Sequence, residues 1–197
     1  MEKRLPTAER RKQIVEAALQ IIHEQGVHRL TAAEIASRVG IADGTIFRHF
    51  ANKEAIVNAA IDDFERLLFE DFPPRADDPL EQLRIFFRQR LGLMRDYPAI
   101  LALAFSDRLA EAAGEEGAER MQMIILRSFA FVRQCLSDAQ KAGLVADDLR
   151  PEVLVWTVTG VMRGVAVAWL RGLIDPEELS AEEAWRSLEA LLKRSTK

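Results

Sequence analysis

The chain has 197 residues, 49% of them hydrophobic and 29% charged, with 10 glycines and 7 prolines. That is enough apolar material for a packed core in one domain or two small ones, and it excludes a disordered or collagen-like chain. The net charge of −4 excludes a basic nucleic-acid coat, but the sign is uneven: residues 1–55 hold 9 basic and 7 acidic side chains, and the remainder holds 18 and 24.

Cys135 is the single cysteine, which excludes an intrachain disulfide and a cysteine-based zinc site. The charged start Met1-Glu2-Lys3-Arg4 does not read as a secretory signal, so a reducing cytoplasm is the expected location. Residues 153–170 carry Arg163 as their only charge and approach the roughly 20 residues a membrane span requires. An arginine at mid-span costs about 2.5–3.5 kcal/mol, and amphipathic segments lie on both sides. A helix buried in protein is the reading, and no membrane partner is expected.

The apolar residues recur with period 3.6 nearly everywhere, and no stretch alternates as a strand would. The first helix is predicted over 7–25, with Ile14, Ala18, Ile21 and Ile22 on one face and Gly26 as its stop. Thr31-Ala32-Ala33-Glu34 is a capping box opening a short helix that Gly40 ends. A third short helix follows over 42–49. Asn52 then caps a fourth, with Ile56, Val57, Ala60, Ile61, Phe64 and Leu68 inward.

Phe72-Pro73-Pro74 breaks the pattern and marks a boundary between lobes. Asp78-Pro79-Leu80-Glu81 restarts it with a cap and a proline at the first helical position, followed by a stripe of Leu80, Leu83, Phe87, Leu91 and Met94. A shorter helix is predicted over 98–110, an acidic glycine-containing link over 111–117, and a long helix over 118–142. Pro151 opens the apolar helix, and Ser180-Ala181-Glu182-Glu183 caps a last one carrying Trp185, Leu188, Leu191 and Leu192. The expected fold is all-α, with about nine helices.

No HExxH, no glycine-rich phosphate loop, no Glu-x-x-His pair and no nucleophile–base pair supported by spacing occurs, and His23, His28 and His49 do not form a ligand set. The chain therefore reads as a non-enzyme with no catalytic residues, no metal and no cofactor. Three helices with a tight glycine-containing turn between the second and third have instead the form of a helix-turn-helix, whose second member enters the DNA major groove. Periodicity alone leaves that open, because short helical pairs are common in all-α proteins.

The residues narrow it. The segment from Thr31 to Glu54, with its capped helix, the Gly40 turn, then Gly44-Thr45-Ile46-Phe47-Arg48-His49-Phe50 and Asn52-Lys53-Glu54, closely resembles the signature of the TetR family of bacterial transcriptional regulators. The resemblance covers about residues 10–60. It implies a helix-turn-helix DNA-binding domain over residues 1–55 and a helical effector-binding and dimerisation domain over 56–197. It also implies double-stranded operator DNA as partner, with Thr31, Ala42, Asp43, Gly44, Thr45, Phe47, Arg48, His49 and Lys53 as the contacts.

Chemistry supports each role. Gly44 allows close backbone approach to DNA, and Thr45 has a hydroxyl for phosphate and a methyl for thymine. Phe47 can pack on sugars and base methyls, although an aromatic at this spacing is more often core. The family's motif gives His49 a phosphate. Lys53 lies in a helical first turn that already favours anions. Two positions depart from the commoner pattern. Members often have a basic or small polar residue where Asp43 stands, and tyrosine where Arg48 stands. Asp43 repels phosphate unless it accepts from a cytosine amine or pairs with Arg48, and Arg48 can read guanine bidentately. Arg10, Arg11 and Lys12 suit backbone contact or a solvated face equally.

In the second lobe, Gly160, Gly164 and Ala168 put small side chains on one helical face, which permits close helix–helix approach within a subunit or between subunits. The resemblance implies that the last two helices of two subunits form a four-helix homodimer interface, which adds Trp185, Leu188 and Leu192 to that set. It also implies a small-molecule cavity, with Phe87, Met94, Phe105, Ile124, Phe131, Trp156, Thr159 and Arg163 as its candidate lining. No acidic residue falls between Glu119 and Asp138 or between Glu152 and Asp175, while Arg127, Arg133, Arg163 and Arg171 do. That usage favours an apolar effector that is neutral or anionic, with Arg163 either facing it or lying at the dimer interface. The expected function is a ligand-released repressor; the alternative is a DNA-bound adaptor controlled by a protein partner.

Overall fold

The structure is a computed structural model that describes residues 6–99, 104 and 108–193. All regular structure among them is helical. The α-helices are α1 (Thr7–Gln25), α2 (Ala32–Val39), α3 (Asp43–Ile46), α4 (Lys53–Phe69), α5 (Pro79–Asp96), α6 (Leu109–Lys141), α7 (Pro151–Leu170) and α8 (Ala181–Leu192), with a 3-10 turn at Val27–Arg29. The all-α expectation holds. The short helix predicted over 98–110 lies largely outside the described residues.

Two elements differ from the sequence reading. The acidic segment 111–117 is helical on either side of Gly114, because Leu109-Ala-Glu-Ala-Ala is made of good helix formers, and the expected link shrinks to a kink at that glycine. Only Gly114, at φ 73° and ψ 176°, interrupts α6. The third helix is one turn long instead of spanning 42–49, since its chain tightens at the end: the His49 N–H reaches the Ile46 carbonyl at 2.9 Å, an i→i+3 bond.

The contacts divide the chain into two compact units, Met1–Leu67 with Pro98–Met123, and Leu68–Tyr97 with Ile124–Lys197. In the first, α1 packs on α2 and α2 on α3. Ile14, Ile21, Ile35, Ile46, Ile56 and Ile61 are fully buried, each stabilising by about 1.5–3 kcal/mol. Arg38 of α2 reaches Glu24 of α1 at 2.8 Å. The early part of α6 is tied to α4 by Asn58, whose Nδ2 donates to the Ala113 carbonyl at 3.0 Å, and by Arg120, which pairs with Asp62 and Glu65.

In the second unit, α5 packs against α7 and α8, and α7 against α8. The buried stripe of α5 includes Leu83, Phe86, Phe87 and Leu91, and Phe87 meets Trp185 with ring centroids 5.6 Å apart. Ser180 and Glu183 close a full capping box at the start of α8. At Thr31 and Asp78 the side chain accepts from the N–H of Glu34 and of Leu80. Arg84 and Arg88 both reach Glu182, at 2.8 and 3.3 Å, but they are solvent-screened and worth little to stability. Burial pushes the Cys135 thiol up to about 12, so this thiol is a packing group rather than a reactive one.

α7 is long and apolar enough to cross a membrane by length and composition, with a mean hydropathy of 1.7, and a third of that window is buried. Its inward face, Leu154, Val155, Val158, Met162 and Val165, belongs to the core. Trp185 anchors the unit: it is fully buried, with its indole Nε1 lacking a partner among the described residues. Trp185→Ala is expected to cost about 3–5 kcal/mol in chemical denaturation. Trp185→Phe is expected to cost less than half of that, because it keeps most of the ring and removes the unpaired N–H.

Candidate nucleic-acid interface

The geometry of the reader turn starts at the end of α2. Gly40 adopts φ 75°, φ 75° being a left-handed conformation that ends a helix cheaply only with glycine, and the Ile41 N–H returns to the Ala36 carbonyl at 3.0 Å. The chain reverses and enters α3, where Thr45 N–H bonds the Ala42 carbonyl at 2.8 Å. Ile46 and Phe50 are buried and hold the turn to the core. Their burial fixes which residues point away: Ala42, Asp43, Gly44, Phe47 and Arg48 are exposed and Thr45 is half-buried.

Phe47 decides between the two readings of its aromatic ring. It is 58% exposed, so it is not a core residue. Gly44 is informative in the same way. A Cβ placed there meets nothing within 4 Å, so no packing inside the chain requires glycine. Asp43 and Arg48 form no ion pair with each other among the described residues, which leaves both groups directed to solvent.

Arg11 has a role that its basic neighbourhood concealed. Its Nη1 donates to the His49 carbonyl, and its guanidinium lies over the Phe50 ring at 4.0 Å from the centroid. It thus fastens α1 to the end of the reader turn by a hydrogen bond and a cation–π contact. His49 is half-buried, with Nδ1 buried and unpartnered. A neutral imidazole with its proton on Nε2 avoids stranding an N–H there and leaves Nε2 as the donor. Lys53 is exposed at the start of α4, behind Asn52, whose Oδ1 accepts from the Ala55 N–H at 2.8 Å. Thr31 is exposed too; its oxygen accepts from Glu34 N–H at 3.1 Å and keeps its own hydrogen to donate.

The candidates for effector and subunit contact are more dispersed. Phe87 and Ile124 are core, Met94 is half-buried, and Phe105 lies outside the described residues. Thr159 is buried, with its hydroxyl spent on the Val155 carbonyl at 2.7 Å. Trp156 is 66% exposed against Phe129, and Arg163 is exposed. Phe131 belongs to an aromatic cluster with Phe72 and Phe86, beside Arg90. Arg90, Phe69 and Phe72 were not among the sequence candidates. The signal was present on the wheel: Arg90 follows Leu83, Phe86 and Phe87 on the apolar stripe of α5.

The assignment of Trp185, Leu188 and Leu192 to a subunit interface is corrected. All three are buried within the chain as the inward face of α8, and the outward apolar residue of that helix is Leu191. Gly160 and Gly164 are exposed, with nothing within 4 Å of a Cβ at either, and Ala168 is half-buried.

A short reader turn, braced by two buried anchors and carrying exposed groups suited to phosphate and base edges, defines a helix-turn-helix DNA-binding protein. Residues 14–60 match the family described as bacterial regulatory proteins, tetR family. The transcriptional regulator TcmR of Streptomyces glaucescens is 29% identical over 86% of this chain and 77% of its own length. The ketosteroid regulator KstR2 of Mycobacterium tuberculosis superposes with a TM-score of 0.80 at 19% identity, covering 94% of this chain and 96% of that one. AibR, solved with isovaleryl coenzyme A and operator DNA, superposes at 0.75 with 20% identity, covering 95% and 100%. Residues 14–60 thus carry the N-terminal domain of the tetR family of bacterial regulatory proteins, and over most of its length the chain is similar to transcriptional regulators.

Two substitutions test the reader without disturbing the core. Gly44→Ala is expected to leave folding intact or to stabilise it by about 0.5–1 kcal/mol, while DNA affinity in gel shift falls because the methyl stands in the approach. Lys53→Ala is expected to weaken binding to all sequences alike and to reduce the slope of log K against log salt by about one.

Proposed function

We propose that the chain is a repressor that binds a palindromic operator as a homodimer and is released by a small apolar molecule, neutral or anionic. Residues 1–55 carry the DNA contacts, and residues 56–197 carry effector binding and dimerisation. The observation that carries the DNA reading is the outward placement of Phe47, Arg48 and Gly44 on a turn whose other residues are fixed by burial. A reader of one turn contacts only a few base pairs, and pairing two of them on a symmetric site supplies the missing specificity.

The dimer reading rests on the outer face of α7. Val153 and Trp156 are exposed there, in line with Gly160 and Gly164, and Leu191 of α8 is exposed as well. Exposed apolar side chains beside glycines with no internal neighbour suit close approach of a second copy. Cover of this face by a second copy also accounts for the apolar character of α7 without a membrane. The effector reading is supported by the arginine usage of this unit, and in the neighbour AibR the named ligand is isovaleryl coenzyme A.

Gly164→Leu separates contact between subunits from contact within one. Because nothing among the described residues lies within 4 Å of a Cβ placed here, the variant is expected to sediment as a monomer, to lose two-fold operator protection in footprinting, and to melt within a few degrees of the wild type. A variant that remains dimeric but melts early refutes the interface.

A further inference from the structure

Arg90 is 4% exposed and sits among aromatic rings: its guanidinium carbon lies 4.7 Å from the Phe86 centroid, 5.2 Å from Phe69 and 5.8 Å from Phe72. Nη1 donates to the Leu68 carbonyl at 2.7 Å, one of the orphan acceptors at the end of α4. Nε and Nη2 are buried and have no hydrogen-bond partner among the described residues. These two nitrogens are not a random remainder. With Nη1 engaged, Nε and Nη2 form the side edge of the guanidinium, where two parallel N–H bonds match the two oxygens of a carboxylate or a phosphoryl group.

The charge around Arg90 makes the same point. No carboxylate pairs with it among the described residues, and the nearest charge of consequence is another cation. Arg127 lies 3.9 Å from the Phe69 centroid and 5.2 Å from that of Phe72, so both guanidiniums stack on the same two rings. Burial first, and then the Arg127 charge, pull Arg90 down to about 10, which still leaves it cationic at neutral pH. Capping α4 explains Nη1 but gives no use for the other edge, and a lysine or a glutamine would cap as well. The open cleft of about 1080 Å³ that touches Phe72 is lined by Glu70, Asp71 and Asp77 against one cation, Arg75, so its charged lining is net acidic and disfavours the anion that the arginines attract.

We propose that the Nε–Nη2 edge of Arg90, with Arg127 as second cation, is the seat of an oxyanion on an otherwise apolar effector, whose body lies against Phe69, Phe72, Phe86 and Phe131. The assignment rests on the effector reading above and gives it a ligand class: an apolar carboxylate or phosphate. It also replaces Arg163, which is exposed on α7, as the anion-binding arginine.

Calorimetry on the full chain with octanoate, octyl phosphate and methyl octanoate tests the seat. The wild type is expected to bind at least one of the two anions on the order of tenfold more tightly than the ester, and the tighter anion identifies the head group. Arg90→Met is expected to erase that preference while leaving ester affinity unchanged, and Arg90→Lys, with charge but no fork, to fall between. Arg127→Gln changes an exposed residue and is expected to weaken the anion several-fold; it serves where Arg90→Met does not fold. The preferred anion is also expected to raise the melting temperature of the wild type but not of Arg90→Met. Equal affinity for all three probes, no binding of any, or a preference that survives in Arg90→Met overturns the seat. Release of operator by acid and ester alike overturns the seat but keeps effector control. Arg90-dependent anion binding that leaves operator affinity unchanged keeps the seat and refutes effector control.

Discussion

A helix of four residues cannot hold itself together in water, and everything around the reader turn follows from that constraint. Isolated helices shorter than about 12–15 residues are marginal, because the nucleus costs more than its few hydrogen bonds return. α3 therefore borrows its order. Ile46 and Phe50 bury their side chains in the core of the N-terminal unit, Gly40 sets the reversal before it, and Arg11 closes the far end on the His49 carbonyl and the Phe50 ring. The reading surface is then whatever these anchors leave outside. That explains why the exposed set contains a phenylalanine, a residue that the chain by itself would prefer to bury.

Phe47 and Trp156 obey one logic at different sites. Each is a large apolar side chain more than half exposed, close to a glycine at which a Cβ would meet open space. Single exposed apolar residues are ordinary, but an aromatic paired with a small, uncrowded neighbour offers both area and access. On the reader turn the fitting partner is the sugar and base edge of DNA. On α7 the proposed partner is a second copy of the same face.

The helices and the helix-turn-helix segment were largely legible, because period and caps act locally. The inward faces of α1, α4 and α5 follow the 3.6 repeat, and Ser180 with Glu183 closes the box that their spacing announces. The failures share a different cause. The length of α3 is set by tertiary anchors, not by its own sequence. Trp185, Leu188 and Leu192 lie on an apolar stripe, and a stripe alone does not say whether the neighbour belongs to the same chain. Arg163 drew attention as the one charge among residues 153–170, yet it is exposed on α7. Arg90, proposed in its place, interrupts a stripe that is otherwise buried. Separating the two requires knowing which face of each helix turns inward.

That distinction has an energetic consequence. A guanidinium drawn down to about 10 holds its charge at a cost of about 3 kcal/mol. The sign follows from the depressed value of a cation: the penalty is present in full at neutral pH and fades only above about 10, where Arg90 loses its proton in the folded chain. Cation–π contacts with Phe69, Phe72 and Phe86 and the bond to the Leu68 carbonyl offset part of the cost of burial, but Arg127 on the same rings adds to it. An anion on the open edge would cancel the charge and satisfy both orphaned nitrogens at once. The free energy recovered would appear as ligand affinity, because a group that binds only the folded form stabilises it in proportion. A buried arginine that looks like a defect in an isolated chain is thus what a site for a charged ligand with an apolar body requires.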